Sequence, residues 1–373
     1  MDEALARRPW WQPADPADAA CGRFELWWGG NTQRFPANVF RSGGAPRRVV
    51  SQLQGHAELT SKTRLAVNMQ AHAAAHKMAC SWTPTTFVVP VGAGGARQLA
   101  RLRRAVQRLA ESEGRVWITK PGGKNRGRGI EVFESMRDIE RHLAAQPPGA
   151  HWVVQKYIER PLLVGGRKFD IRAYALVAPC GRVYVHRACY ARTSSSAFGL
   201  ADLTDKATHL TNDAVQRTMA GYGAFEEANK LSMAQLQAAL AGRADVAGDL
   251  VPKMWEAARA AFSAVHGRLN PNRHAHCFEL LGLDFMVDTD LWVYIIEINT
   301  SPALYRCCSL LAELLPPVIE EVEPLDGFSM LLDSPERLSA AAKRQQGKTP
   351  RASAVTLPSN RRWAKRALSA GKR

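Results

Sequence analysis

The chain has no two cysteines at CxxC spacing: its seven are scattered, and Cys307 and Cys308 are adjacent. Neither a zinc site nor a disulfide framework is signalled, so a reducing, cytoplasmic setting is expected. No run approaches the roughly 18 apolar residues of a membrane helix, and no membrane partner is expected. The opening MDEALARRPWWQPADPADAA is polar, Pro-broken and partly acidic, unlike a secretory leader. No internal repeat occurs. No GxxxxGK[ST] occurs either, which excludes a P-loop. The last 31 residues, Lys343 to Arg373, hold no acid at all.

What is present is basic charge, unevenly placed. The formal net charge is +16, and ten Lys or Arg (343, 344, 348, 351, 361, 362, 365, 366, 372, 373) supply ten of those sixteen. An acidic partner follows: nucleic acid, an anionic membrane or an acidic protein surface. For nucleic acid the body offers no basic aromatic platform, and NRRWAKR is the one suggestive piece. At 373 residues and 46% hydrophobic, the chain is globular and long enough for two or three domains.

Patterning predicts a mixed α/β chain with largely antiparallel sheets. FELWWGG reads as a strand and ELTSKTRLAVNMQAHAAAHKM as a helix. CSWTPTTFVVP is a turn and a strand, and residues 97–112 an amphipathic basic helix. RVWITK, IEVFES, HWVVQKYIE and RKFDIRAYALVA are strands. FEEANKLSMAQLQAALAG, DLVPKMWEAARAAFSAVHG and ALYRCCSLLAELLPPVIEEV are expected helices. Residues after about 335 read as a flexible tail with one helical stretch, NRRWAKRALSAGK.

KPGGKNRGRGI, Lys120 to Ile130, joins two of those strands and packs four glycines and four basic side chains into eleven positions. It suits a loop closing over phosphates, or else a surface turn that is basic. Strands rather than a helix flank it, so it is no dinucleotide fingerprint. In IIEINTSP, Glu297 and Asn299 are two apart and share a strand face. A two-residue turn at Thr289–Asp290 places Asp284 on that face too, on a diagonal of roughly 7–8 Å. Two carboxylates and an amide among apolar strands suit Mg²⁺, or else form a solvated edge; a three-residue turn would reverse the faces. Lys168, Asp170 and Arg172 also alternate, as a phosphate- and carboxylate-binding stripe or as a salt-bridge ladder. HLTN adds His209, Thr211 and Asn212. A glycine loop between strands with an acidic hairpin fits an ATP-grasp fold, in which two sheets hold ATP.

WITKPGGKNRGRGI, WVVQKYIERPLLVGGRKFDIRAYALV, HLTN and FELLGLDFMVDTDLWVYIIEINTSPAL, in this order from Arg115 to Leu304, resemble the tubulin–tyrosine ligase and tubulin–tyrosine-ligase-like family. GHAELTSKTRLAVNM resembles its N-terminal region more loosely. The resemblance implies an α/β (α+β) ATP-grasp fold, with the nucleotide between two mainly antiparallel sheets. It divides the chain into an N-terminal domain (1–85), a central subdomain with the phosphate loop (86–160), a C-terminal subdomain with the magnesium site (161–330) and a basic tail (331–373).

The resemblance also assigns roles. Lys120 and the loop with Gly127 and Gly129 meet the phosphates, and Lys62 reaches the nucleotide. Gln155, Lys156, Tyr157 and Ile158 line the adenine pocket, partly through backbone groups. Lys168 and Asp170 meet the γ-phosphate and ribose regions. Asp284, Glu297 and Asn299 hold Mg²⁺, and Arg172, Arg192, Thr211 and Asn212 receive the acceptor carboxylate and the incoming amino acid. The implied activity is ATP-dependent ligation of an amino acid, glutamate or tyrosine foremost, to a carboxylate of a tubulin C-terminal tail through an acyl phosphate. Arg172, Arg192, Lys168 and Glu297 are the implied catalytic set, and tubulin or microtubules and a free amino acid the partners. The implied location is cytoskeletal, the cilium or flagellum included. The rival readings are an ATP-grasp ligase on another acidic protein or small molecule, and an inactive microtubule-binding relative.

Overall fold

The structure, a computed structural model, describes residues 26–28, 49–322 and 328–333. Most of the expected tail therefore lies outside the described residues, as do most of residues 1–45. Among the described residues, the first elements are a short parallel pair, β1 (Leu26–Trp27) and β2 (Val49–Val50).

Two antiparallel sheets organise the rest. The smaller takes β3 (Thr86–Pro90), β4 (Trp117–Pro121), β5 (Glu131–Phe133) and β6 (His151–Lys156) in the order β3-β6-β4-β5. Strand alternation splits its faces. Trp117, Trp152 and Val154 pack beneath the helices Ala96–Leu109 and Met136–Ala144, against Leu102, Ala105, Ile139 and Leu143. Ile118, Lys120, Val153 and Gln155 share the opposite face, as the pairings Ile118↔Gln155 and Lys120↔Val153 require.

The larger sheet is built on β8 (Arg167–Val177), buried along its whole length. One side pairs with β10 (Tyr190–Ala197), which carries β11 (Lys230–Ser232) beyond it; the other pairs with β12 (Glu279–Val287), then β13 (Val293–Thr300). β7 (Leu163–Val164) and β9 (Val183–His186) extend the pairing of β8, and β14 (Phe328–Leu332) closes on β9. Phe169, Ile171, Leu283, Phe285 and Ile295 face the main core. The helices Lys62–Ala75 and Val251–Val265 cover that face with Leu65, Met69, Met254 and Phe262. Leu59 and Met69, from the segment expected to be an N-terminal domain, thus share the core of the C-terminal half. On the other face, the helix Ser309–Glu320 covers only the Tyr174, Tyr190 and Leu280 end.

Two local expectations need correction. Residues 225–242 are not one helix: Lys230–Ser232 is the edge strand β11, and the helix runs Met233–Ala239. Ser232 caps that helix with a capping box through Gln235. The β12–β13 hairpin turns through five residues, Asp288 to Trp292, rather than two, since Val287 pairs with Val293. That odd count alone would put Glu297 on the wrong face. A bulge at Ile296 restores it, because Phe285 pairs with Ile295 while Asp284 pairs with Glu297.

Candidate active site

Beyond the part under that helix, the same face of the large sheet carries a continuous buried charged network. Asp284 lies directly opposite Glu297 rather than diagonal to it, and Asn299 opposite Gly282. Arg172, paired with Asp284 on the next strand, grips it through Nε at 2.5 Å and Nη2 at 3.1 Å. Arg192 reaches across β8: its Nη2 is 2.8 Å from Asp284, while Nε and Nη2 fork onto Asp170 at 2.6 and 2.8 Å. Thr211 donates to the same Asp170 at 2.5 Å. Burial alone would raise the pKa of Asp284, but the two guanidiniums overcome it and hold the carboxyl well below the usual carboxylate range. Asn299 Nδ2 bridges Asp284 at 3.3 Å and Glu297 at 3.1 Å.

Three lysines converge on this network. Lys62 Nζ stands 3.3 Å from Glu297 and donates to the carbonyl of Lys124 in the glycine loop at 3.2 Å. Lys120, at the end of β4, is buried and donates to the neutral amide of Gln155 at 2.8 Å; Gln155 is itself anchored on Thr86. Lys168 donates to the Tyr157 hydroxyl at 2.9 Å and to the His209 carbonyl at 3.0 Å. Tyr157 in turn shares a 2.8 Å hydrogen bond with His209 Nδ1. Since Lys168 donates to that hydroxyl, the phenol proton is free to go to His209, which leaves Nε2 to donate to Asp202 O at 2.8 Å. Burial pushes the Lys120 ammonium down to about 8; Glu297 opposes this and Lys62 adds to it. Burial pushes Lys168 down to about 7, with Lys120 repelling it and Asp170 drawing it back. Lys120 and Lys168, held on neutral partners beside Lys62, make a cluster of cations suited to a polyanion.

The profile of the Tubulin-tyrosine ligase family matches residues 43–326. The chain belongs to the tubulin-tyrosine ligase family. Among similar proteins, the probable tubulin polyglutamylase TTLL9 of Bos taurus is 28% identical over 345 residues, covering 80% of this chain and 71% of that protein. Tubulin glycylase 3B of Tetrahymena thermophila is 32% identical over 213 residues, 55% of this chain and 18% of the glycylase. Protein monoglycylase TTLL8 of Homo sapiens is 34% identical over 218 residues, 55% of this chain and 25% of its own. The matched part thus spans about a quarter or less of those two glycylases.

Other positions that the tubulin-tyrosine ligase family resemblance singled out divide by geometry. Gly127 and Gly129 adopt positive φ, +72° and +71°, and a Cβ at Gly127 would stand 2.8 Å from Val215. Lys124, Arg126 and Arg128 of that loop are exposed. Lys156 points to the helix-covered face, away from Gln155, where it binds Glu159 at 2.5 Å and the carbonyl of Val116 at 2.9 Å. Its side chain serves packing and leaves the cleft to Gln155 and Tyr157. Ile158 follows, half-buried. The Asn212 side chain caps the helix Asp213–Gln216 by accepting from Ala214 N at 2.8 Å, so it acts locally.

Sequence reasoning missed three positions. Thr86 orients Gln155 from a strand read only as a structural element. Lys230 lies beside Arg192 and is clamped to Asp213 at 2.5 Å, but its segment reads as helix until β11 forms. Gly282 must be small: a Cβ there would stand 2.9 Å from Pro302 Cβ and 3.3 Å from Arg172. Among the described residues no group of three or more His, Cys, Asp or Glu gathers as a metal cage. The hard-oxygen set is the pair Asp284 and Glu297 with the Asn299 amide. Its chemistry fits a divalent cation shared with phosphates, which needs few protein ligands.

Proposed function

We propose that the chain is an ATP-dependent ligase that joins an amino acid to a carboxylate of an acidic protein tail, that of tubulin first. The observation that carries this reading is the clustering of Lys62, Lys120 and Lys168 beside the acids Glu297 and Asp170. Such a charge arrangement favours a polyphosphate between cations and acids. Gln155, Tyr157 and Ile158 would hold the adenine, with Lys156 contributing backbone groups. Lys120, Lys62 and the loop with Gly127 and Gly129 would hold the phosphates, and Lys168 and Asp170 the γ-phosphate and ribose side. Mg²⁺ on Asp284, Glu297 and Asn299 would neutralise phosphate charge; for this the Asn299 amide would turn its oxygen inward.

Transfer of the γ-phosphoryl group to the acceptor carboxylate breaks the bond from the γ-phosphorus to the β,γ-bridging oxygen, releases ADP and makes an acyl phosphate. The neutral amine of the incoming amino acid attacks its carbonyl carbon, gives up a proton to solvent, and the amide forms as phosphate leaves. The chain's part is positioning and charge stabilisation. Arg172 and Arg192, fixed by Asp284 and Asp170, stabilise the oxyanion and bind carboxylate, with Thr211 and Asn212 beside them. Relatives named glycylase and polyglutamylase put glycine beside glutamate as the first donors to test, with tyrosine next. A cytoskeletal location goes with that acceptor.

The test is incubation with tubulin, Mg-ATP and each radiolabelled amino acid in turn, beside Glu297→Gln. One amino acid should be incorporated, and the variant should lose at least about a hundredfold in rate while its melting temperature holds. Undiminished turnover in Glu297→Gln would sink the site; no incorporation, with ATP still bound, would move the acceptor away from tubulin.

A further inference from the structure

The helix Ala96–Leu109 takes no part in this site. Leu102, Ala105 and Leu109 bury one face of it in the small-sheet core. Arg97, Arg101, Arg104 and Arg108 recur at steps of four, three and four, so they line a single flank, and all four are exposed. The helix contains no Asp or Glu. Its fifth arginine, Arg103, lies on a different flank and is paired at 2.5 Å with Glu140 of the helix Met136–Ala144. Four like charges in a row weaken a helix unless something neutralises them.

We infer that this flank is a docking surface, outside the cleft, for an extended acidic polypeptide segment. The stripe spans eleven steps of about 1.5 Å, or about 16 Å. Its charges repeat every 4.5 to 6 Å or so, somewhat less than the roughly 6.7 Å between alternate side chains of an extended peptide. About six residues of extended chain cover its length, with three alternate acids set among the four arginines. Guanidinium forks bind carboxylates in bidentate fashion, which favours Arg over Lys for this task. The helix carries no aromatic residue on which a base could stack, which disfavours nucleic acid. The ligase reading enters in one respect: it makes the segment part of the acceptor's own tail, held while another carboxylate of it reacts.

The probe is a poly-L-glutamate decamer, used with the full chain so that the basic tail is present throughout. Phenylglyoxal labelling read by mass spectrometry should show Arg97, Arg101, Arg104 and Arg108 protected by the decamer, and Arg103 unprotected. R97Q/R101Q/R104Q/R108Q should bind the decamer about tenfold more weakly or worse, with ATP affinity unchanged, and R103Q should bind it within about twofold of the parent. Decamer binding without protection of the stripe overturns the inference, as does an equal loss in R103Q. So does an RNA oligonucleotide that protects the four arginines at lower concentration than the decamer. A chain that ligates nothing but shows the footprint would refute the ligase reading and leave this surface standing.

Discussion

Lys168 carries the site's most consequential charge. Burial pushes its ammonium down to about 7, and Lys120 nearby adds to the effect. A lysine in an unfolded chain titrates near 10.4 or so. Between about pH 7 and 10 the unfolded chain therefore binds the extra proton, and this group makes the ligand-free protein more stable as pH rises. Below about 7 both states are charged and its slope vanishes. Lys168→Met should flatten the rise in urea midpoint between about pH 7 and 9; an unchanged slope would mean that Lys168 does not titrate there. ATP acts in the opposite sense, because a triphosphate favours the charged form. Calorimetry near pH 8, in buffers of different ionisation enthalpy, should show proton uptake on ATP binding.

The β12–β13 hairpin is the element on which the acids depend. Its odd-length turn and the bulge at Ile296 cancel, leaving Asp284, Glu297 and Asn299 on one face. Gly282 lets Arg172 lie flat across the strand toward Asp284, with Pro302 closing the other side. Gly282→Ala should cost about 1–3 kcal/mol by overpacking and slow ligation about tenfold by displacing the guanidinium. Gly267→Ala, where an added Cβ meets nothing within 4 Å, should do neither. Urea unfolding and turnover of the two variants decide it; parent-like behaviour of Gly282→Ala would show that the close approach is idle.

At the scale of the molecule, two cores meet through few polar contacts. Lys168 to Tyr157, Tyr157 to His209 and Lys62 to the Lys124 carbonyl span from one half to the other, beside an apolar contact of Ile118 and Tyr157 with Leu210. A ligand gripped by both sheets stabilises the chain by mass action, about 2.7 kcal/mol at a hundred times its Kd. Mg-ATP should raise the calorimetric melting temperature accordingly, and Lys120→Ala should lose most of that rise. An equal rise in the variant would remove Lys120 from the nucleotide site.

Much of this was legible in residue order. Lys168, Asp170 and Arg172 share a face because strand side chains alternate whatever the fold around them. The helix Ala96–Leu109 was readable for the same kind of reason, its apolar and basic residues recurring at helical period. Lys230–Ser232 was not: those residues suit a helix, and pairing with Tyr190–Arg192 made them a strand. The length of the 288–292 turn and the bulge at Ile296 were likewise settled between strands. Nor could residue order show Arg192 on Asp284, since that contact needs β10, β8 and β12 side by side. Sequence by itself determined which groups could act, because backbone periodicity is local. Only the tertiary structure decided which of them meet and what burial does to their charge, because both depend on chain segments far apart in sequence.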